Sequence, residues 1–325
     1  MGRKVNNVLV IGANGTLGMK FREYAPSNYQ FAVRDYKDRK TDNDIEFDLS
    51  CHTGDDYEYW VTILKSFDVI INCAAVTNVD RIEDSRRNDT EYFNNAIKTN
   101  TIGVELLAKA CAETDTVLFH ISTDYVFDGN TNQPYLEESP CNPLNEYGLQ
   151  KMRAEEAIRK SGCRYFIIRT SWLYSEIGNN LFTRCRQTLD DANDIFNEVS
   201  AANDIISSPT YAGDLVDAIH AIIEYNRFED YGTYHYTNEG VCTRYDFLKA
   251  LQNMFNYDGA MLKPVSGKTF SNCAKRPYVS VLSKQKFNNI FKGLHQTRHW
   301  YDALRSCYIA YEDMIQKMID KTPLD

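Results

Sequence analysis

Short apolar runs separated by longer amphipathic stretches set the rhythm of the first half of the chain. Val8-Leu-Val-Ile11 is continuously apolar and stops at Gly12. Phe31–Asp35, Val69–Asn72, Val117–Ser122 and Arg164–Arg169 repeat the pattern. Between them, apolar positions recur at helical spacing, as over Asn95–Ala112 and Asn145–Lys160. Strands that are apolar throughout are buried on both faces, and the alternation with helices predicts a parallel sheet covered on both sides. The expected fold is α/β, a doubly wound parallel sheet.

After residue 172 the segments become more polar and irregular, with turns near Gly178, Ser208-Pro209 and Gly232. Helical patterns return at Ala212–Glu224, Arg244–Phe255 and His299–Lys321. The reading is a Rossmann-type domain over 1–172, rejoined by about 212–236, with a smaller lobe from about 173–211 and 237–325. No tract repeats.

Composition narrows the partners. A net charge of −9 gives no general attraction for nucleic acid or an anionic membrane. No apolar run approaches the length of a bilayer span, and the start has no cleavable leader pattern, so a cytoplasmic protein is expected. Nine cysteines without CxxC spacing argue for reduced thiols rather than a disulfide framework or a zinc site. His295 and His299 sit at helical spacing without a third ligand, and no metal is expected.

The first run is followed by Gly12-Ala-Asn-Gly15-Thr-Leu-Gly18, leading into a helix. Glycines in a strand-to-helix turn let the backbone approach a pyrophosphate, and the helix N-terminus offers that anion free N–H groups. Asp35, 17 residues after Gly18, suits the adenosine ribose hydroxyls. Arg34, Lys37, Arg39 and Lys40 beside it suit a 2′-phosphate, so NADH and NADPH both remain open.

Ser122-Thr123-Asp124-Tyr125 closes the fourth strand at the edge where such sheets bind ligands, and Tyr147 and Lys151 share one helix face. These types fit ketone reduction. Hydride addition leaves an alkoxide that needs a proton. A tyrosine titrating near about 10 is a slow acid until an ammonium lowers it. Lys151 supplies that charge and a bond to the nicotinamide ribose, while Thr123 holds the carbonyl oxygen beside Tyr147.

Here the sequence resembles the extended short-chain dehydrogenase/reductases and, within them, the dTDP-4-dehydrorhamnose reductases. The likeness runs through the glycine turn, Asn72–Asp80, Ser122–Gly129, Pro143–Tyr147 to Lys151, Arg169–Trp172, Ser208–Thr210 and Lys275–Pro277. It implies Tyr147 as proton donor with Lys151 and Thr123, and Asn100 supporting the lysine through water. Gly15, Thr16 and Leu17 would lie along the pyrophosphate and Asp48 and Leu49 beside the adenine. Ala75, Val76 and Thr77 would line the nicotinamide half, and Asp124 and Trp172 would face a nucleotide-linked 4-keto-6-deoxy sugar. Trp172 could equally serve the core.

Related 4,6-dehydratases carry a glutamate where Tyr125 stands, so Tyr125 favours reduction over elimination. Some reductases hold magnesium at a dimer contact through an acid at the position of Lys20, which argues against that metal and that dimer; a homodimer stays open. The rivals are an NADP-binding regulatory subunit resembling that of methionine adenosyltransferase and a sugar-nucleotide epimerase. Two bland readings complete the sequence: His120 as a packed, hydrogen-bonded strand residue, and Asp80, Arg81, Glu83 and Asp84 as a solvated helix start.

Overall fold

The computed structural model describes residues 5–51, 54–270 and 273–321. Six strands in the first half, β1 (Val8–Ile11), β2 (Tyr29–Val33), β3 (Ile45–Glu46), β4 (Val69–Asn72), β5 (Val117–Thr123) and β6 (Tyr165–Thr170), join Gly232–His235 in one sheet. All neighbours are parallel, in the order Gly232–His235, β6, β5, β4, β1, β2, β3. The helices are α1 (Thr16–Tyr24), α2 (Gly54–Leu64), α3 (Val79–Asn88), α4 (Thr90–Ile97), α5 (Gly103–Glu113), α6 (Glu146–Ser161), α7 (Leu181–Asp194), α8 (Ala212–Glu224) and α9 (Arg244–Phe255), followed by a short helix over Gln285–Ile290 and a last one over Trp300–Lys321.

Strand β1 shows why its run is apolar throughout. Val8 and Val10 join one core with Phe21 of α1 and Ile219 of α8, while Leu9 and Ile11 join another with Trp60 of α2 and Leu107 of α5. Successive side chains point to opposite faces, so a strand covered on both sides needs no polar position. A third core, around Tyr174, Phe182, Phe247 and Leu304, builds the lobe beyond the strand ends. No helix among the described residues is long and apolar enough to cross a membrane.

Two boundaries move for local reasons. The second strand ends at Val33, because Asp35 leaves it to accept the Lys37 N–H at 3.0 Å and cap a short 3-10 turn. The Asn95–Ala112 pattern divides into α4 and α5, joined by a π-helical turn over Lys98–Ile102. Such turns put one extra residue into the helix and re-aim the side chains around it.

Topology fixes where a ligand can enter. The chain leaves β1 toward β2 and β3, then crosses to β4 on the other side. That reversal opens a crevice beyond the carboxyl ends of β1 and β4.

Candidate active site

Four segments meet in that crevice around a pocket of about 490 Å³. The first is the glycine turn. Gly12 has φ +79°, and a Cβ there would lie 2.5 Å from the Ala74 nitrogen. At Gly18 a Cβ would lie 2.6 Å from Ala13 Cα, so its absence lets α1 close on the turn. Helix α1 starts without a side-chain cap or an acid in its first turn, and Gly15, Thr16 and Leu17 line the pocket. Open N–H groups at a helix start form a cradle for phosphate.

The second is the loop after β4, from which Cys73, Ala75 and Thr77 face the pocket. Asn100, fully buried in the π-helical turn, grips this loop. Its Oδ1 accepts the Val76 N–H at 2.8 Å, and its Nδ2 donates to the Val76 carbonyl and to Gln150 Oε1, both at 2.9 Å. The direct partners of Asn100 are therefore the loop backbone and the residue before Lys151.

The third brings Thr123, Asp124 and Tyr125 at the end of β5 against Tyr147 and Lys151 on α6, all in the pocket wall. Asn145 caps α6 by accepting the Gly148 N–H at 2.9 Å. A Cβ on Gly148 would collide with the Tyr125 carbonyl, so this glycine lets α6 approach the strand end. The Tyr125 and Tyr147 rings meet edge to face at 6.3 Å. Asp124 is buried, with Oδ1 accepting from Thr123 at 3.2 Å and Oδ2 from Ser171 at 2.7 Å and Ser280 at 2.5 Å.

Burial pushes the Tyr147 phenol above its ordinary pKa, Asp124 and Tyr125 add to this, and a hydrogen bond with Thr123 opposes it. Lys151 was expected to lower this value. In the structure the Lys151 Nζ donates to the Ile121 carbonyl at 2.6 Å and lies 3.0 Å from His120 Nε2, and desolvation of the phenol prevails. Burial also brings Lys151 itself down to about 8, with Glu155 and Cys73 pulling the other way.

The fourth segment is the lobe. Trp172 takes φ +46°, a left-handed conformation that costs a tryptophan, and is nearly buried. It belongs both to the lobe core and to the pocket wall. The Arg244 guanidinium lies 3.7 Å over its ring. Burial lowers the Arg244 pKa, and among the described residues no hydrogen bond or carboxylate pair engages this guanidinium. Arg184 of α7 and Arg276 face the same end.

Arg276 reaches Asp80 at 2.5 Å, and Tyr125 lies close enough to act on its charge. Asp80 also accepts the Ala274 N–H at 3.0 Å, and Glu83 accepts the Glu146 N–H at 2.9 Å. These two acids were expected to be merely solvated. They tie α3 to the C-terminal segment and to the start of α6.

Asp35, Asp48 and Leu49 stand outside this pocket wall. Asp35 pairs with Lys37 at 2.7 Å, Asp48 holds Arg34 at 3.1 Å, and Leu49 is buried. Lys20, at the position the resemblance associates with magnesium, is fully buried and forms ion pairs with Glu176 and, at 2.8 Å, with Glu23. An ammonium between two carboxylates does not fit a divalent cation there.

The sequence did not mark Arg184, Arg244, Asn179 or Asn180 individually as site residues, and they reach the pocket from separate parts of the lobe. Arg244 opens a helix 72 residues after Trp172, and nothing in that spacing announces contact.

A family model described as the RmlD substrate binding domain matches residues 6–312. A spore coat polysaccharide biosynthesis protein, SpsK, of Bacillus subtilis is 32% identical, covering 93% of this chain and 96% of that protein. A dTDP-4-dehydrorhamnose reductase of Mycolicibacterium smegmatis is 34% identical over 75% of this chain and 70% of the relative. The solved dTDP-4-dehydrorhamnose reductase of Bacillus anthracis, in complex with NADP, superposes with a TM-score of 0.78 at 30% identity, covering 95% of this chain and all of that one (100%).

Proposed function

This chain belongs to the RmlD substrate binding domain family, and on that premise we propose that it is an NAD(P)H-dependent reductase of a nucleotide-linked 4-keto-6-deoxy sugar. The carrying observation is one pocket lined together by the glycine turn at Gly15–Leu17, by Thr123, Tyr147 and Lys151, and by Arg184, Arg244 and Arg276. Relatives named as dTDP-4-dehydrorhamnose reductases support the oxidoreductase class.

The glycine turn and the N-terminus of α1 fit the dinucleotide pyrophosphate, with Ala75, Val76 and Thr77 beside the nicotinamide half and Asp35, Asp48 and Leu49 toward the adenosine. NADPH or NADH, when bound, supplies the hydride. Thr123 orients the substrate carbonyl by donating a hydrogen bond to its oxygen. Tyr147, kept protonated by its raised pKa, gives that oxygen its proton as it becomes an alkoxide. Lys151 bonds the ribose and favours the phenolate left behind. Asp124 holds the wall through Ser171 and Ser280, and Trp172 offers the sugar an apolar face.

Arg244 and Arg184 carry the anionic part of the substrate. A desolvated guanidinium that no carboxylate hydrogen-bonds among the described residues, with Asp124 acting on it only through its charge, binds phosphate through charge-assisted bonds worth roughly 1.5–3 kcal/mol each. Arg244→Met should therefore raise KM for the sugar nucleotide by about tenfold or more, with kcat changed by less than about threefold. Steady-state kinetics at saturating cofactor measure this.

The pH dependence has a definite sign. Lys151 loses its ammonium as pH rises through about 8. The free chain's kcat/KM for the cofactor should fall above that value, and a profile flat to about pH 10 would contradict the assignment.

The function itself is tested by mixing the protein with NADPH or NADH and a panel of dTDP- and UDP-linked 4-keto-6-deoxyhexoses. Oxidation of the cofactor in step with substrate is expected. No oxidation with any member, alongside tight binding to a methionine adenosyltransferase, would replace the reductase by the regulatory reading.

A further inference from the structure

Behind the pocket wall lies a buried group that the proposed reaction does not use. His120 sits mid-strand in β5 with no exposed surface, between Asn72 of β4 and Lys151 of α6. Its Nδ1 is 3.2 Å from Asn72 Nδ2, and its Nε2 is 3.0 Å from Lys151 Nζ. The ring therefore faces a nitrogen on both sides.

Donor and acceptor counting makes this arrangement restrictive. Asn72 Oδ1 accepts the Ala74 N–H at 3.0 Å, which turns the amide so that Nδ2 donates toward the ring. Nδ1 must then accept, and a neutral imidazole carries its one proton on Nε2. That N–H points at Lys151, and only an amine has a lone pair to receive it. Lys151 can still donate to the Ile121 carbonyl in that state. An ammonium has three donors and no acceptor, so it needs a bare Nε2 and a proton on Nδ1. Nδ1–H would then confront the Asn72 amide, which could turn to receive it only by withdrawing the acceptor from Ala74.

We propose that His120 is a positioning residue for the reduction, whose tautomer, contested between Asn72 and Lys151, couples the charge of Lys151 to the hydrogen bonding of the loop beneath the cofactor. Ala74 is also the residue against which Gly12 closes, so the loop that receives the dinucleotide and the lysine that bonds it share one buried chain of contacts. The charged and titratable neighbours are few. Lys151 acts on His120, and Glu155 and Cys73 act on Lys151. Burial and Lys151 hold the His120 pKa well below its ordinary value, so the doubly protonated ring does not enter. Glu155 is occupied by Arg169, Arg159 and Ser122.

The proposal rests on the role assigned to Lys151 for its kinetic consequence, and its structural core is testable without turnover. With histidine labelled by nitrogen-15, imidazole shifts distinguish Nε2–H from Nδ1–H, and the His120→Gln spectrum assigns the resonances. The wild-type protein titrated from about pH 10 to about pH 6 should pass from the Nε2–H to the Nδ1–H form as Lys151 gains its proton, with no imidazolium. One unchanged tautomer across that range would overturn the proposal whether or not the protein reduces a sugar.

Kinetics provide the second arm. A glutamine amide at position 120 turns freely and can present its oxygen to an ammonium. His120→Gln should move the alkaline limb of kcat/KM upward by about one pH unit or more. A limb left in place, with the variant folded, would overturn the coupling. Loss of activity at every pH with the tautomer switch intact in the wild type would fault the role of Lys151 and leave the buried coupling standing.

Discussion

Tyr147→Phe is expected to lower kcat by at least about a hundredfold while cofactor affinity changes by less than about twofold. The variant removes one oxygen and keeps the ring, so the edge-to-face contact with Tyr125 survives. It deletes the only proton on the phenol side of the carbonyl, and general acid catalysis of this kind contributes about 10²–10⁴-fold. Binding should persist because the phosphate cradle belongs to α1 and the glycine turn. Single-turnover reduction, followed by loss of reduced-nicotinamide absorbance, separates the chemical step from product release. Turnover within about threefold of wild type would remove Tyr147 as the acid.

The raised pKa of this phenol sharpens the expectation. Before cofactor and substrate arrive, Tyr147 is protonated across the neutral range, because burial and Asp124 both disfavour the phenolate. The acid form needs no preparation. What must change is the stability of the phenolate left after transfer, and Lys151 is the nearby cation that can provide it. Its Nζ donates to the Ile121 carbonyl and lies against His120 Nε2, within the same wall as the phenol.

Much of this was legible in the residues. The glycine turn, the strand-end hydroxyls and the tyrosine–lysine pair each carry a backbone or spacing requirement, so local order is enough to find them. The sheet was legible for the same reason: β1, and β4 up to Asn72, are apolar because both faces are covered. The lobe was not. Its wall combines Trp172, Asn179, Arg184, Arg244 and Arg276, brought together by packing of α7, α9 and the C-terminal segment. Side chains joined only by tertiary contact leave no period to read. His120 illustrates the middle case, since its burial in a strand was readable, whereas its neighbours Asn72 and Lys151 lie 48 and 31 residues away.

Glu155→Ala should cost about 3–5 kcal/mol of stability, the largest loss expected from any single change in α6. Glu155 lies two turns after Tyr147 with no exposed surface. Its carboxylate takes Arg169 in a two-point bond at 2.9 and 2.7 Å, Arg159 at 2.6 Å and the Ser122 hydroxyl at 2.6 Å. Arg169, nearly as buried, otherwise meets the Glu137 carbonyl at 3.0 Å, His235 and Cys141. Removing the acid leaves that guanidinium with a charge and no anion, which is the costly half of breaking a buried pair. Removing both partners leaves no such charge, so Glu155→Leu with Arg169→Met should recover most of the loss. Urea unfolding of the two singles and the double measures the coupling. The acid side gives an independent sign. Burial raises the Glu155 pKa, but Arg169 and Ser122 outweigh it and hold the folded value below 4.5. Its contribution is therefore complete above that pH and fades as pH falls through the depressed folded value. Glu155→Gln should flatten the acid limb of the stability profile, and an acid limb as steep as the wild type's would show that the pair does not anchor the helix bearing Tyr147 and Lys151.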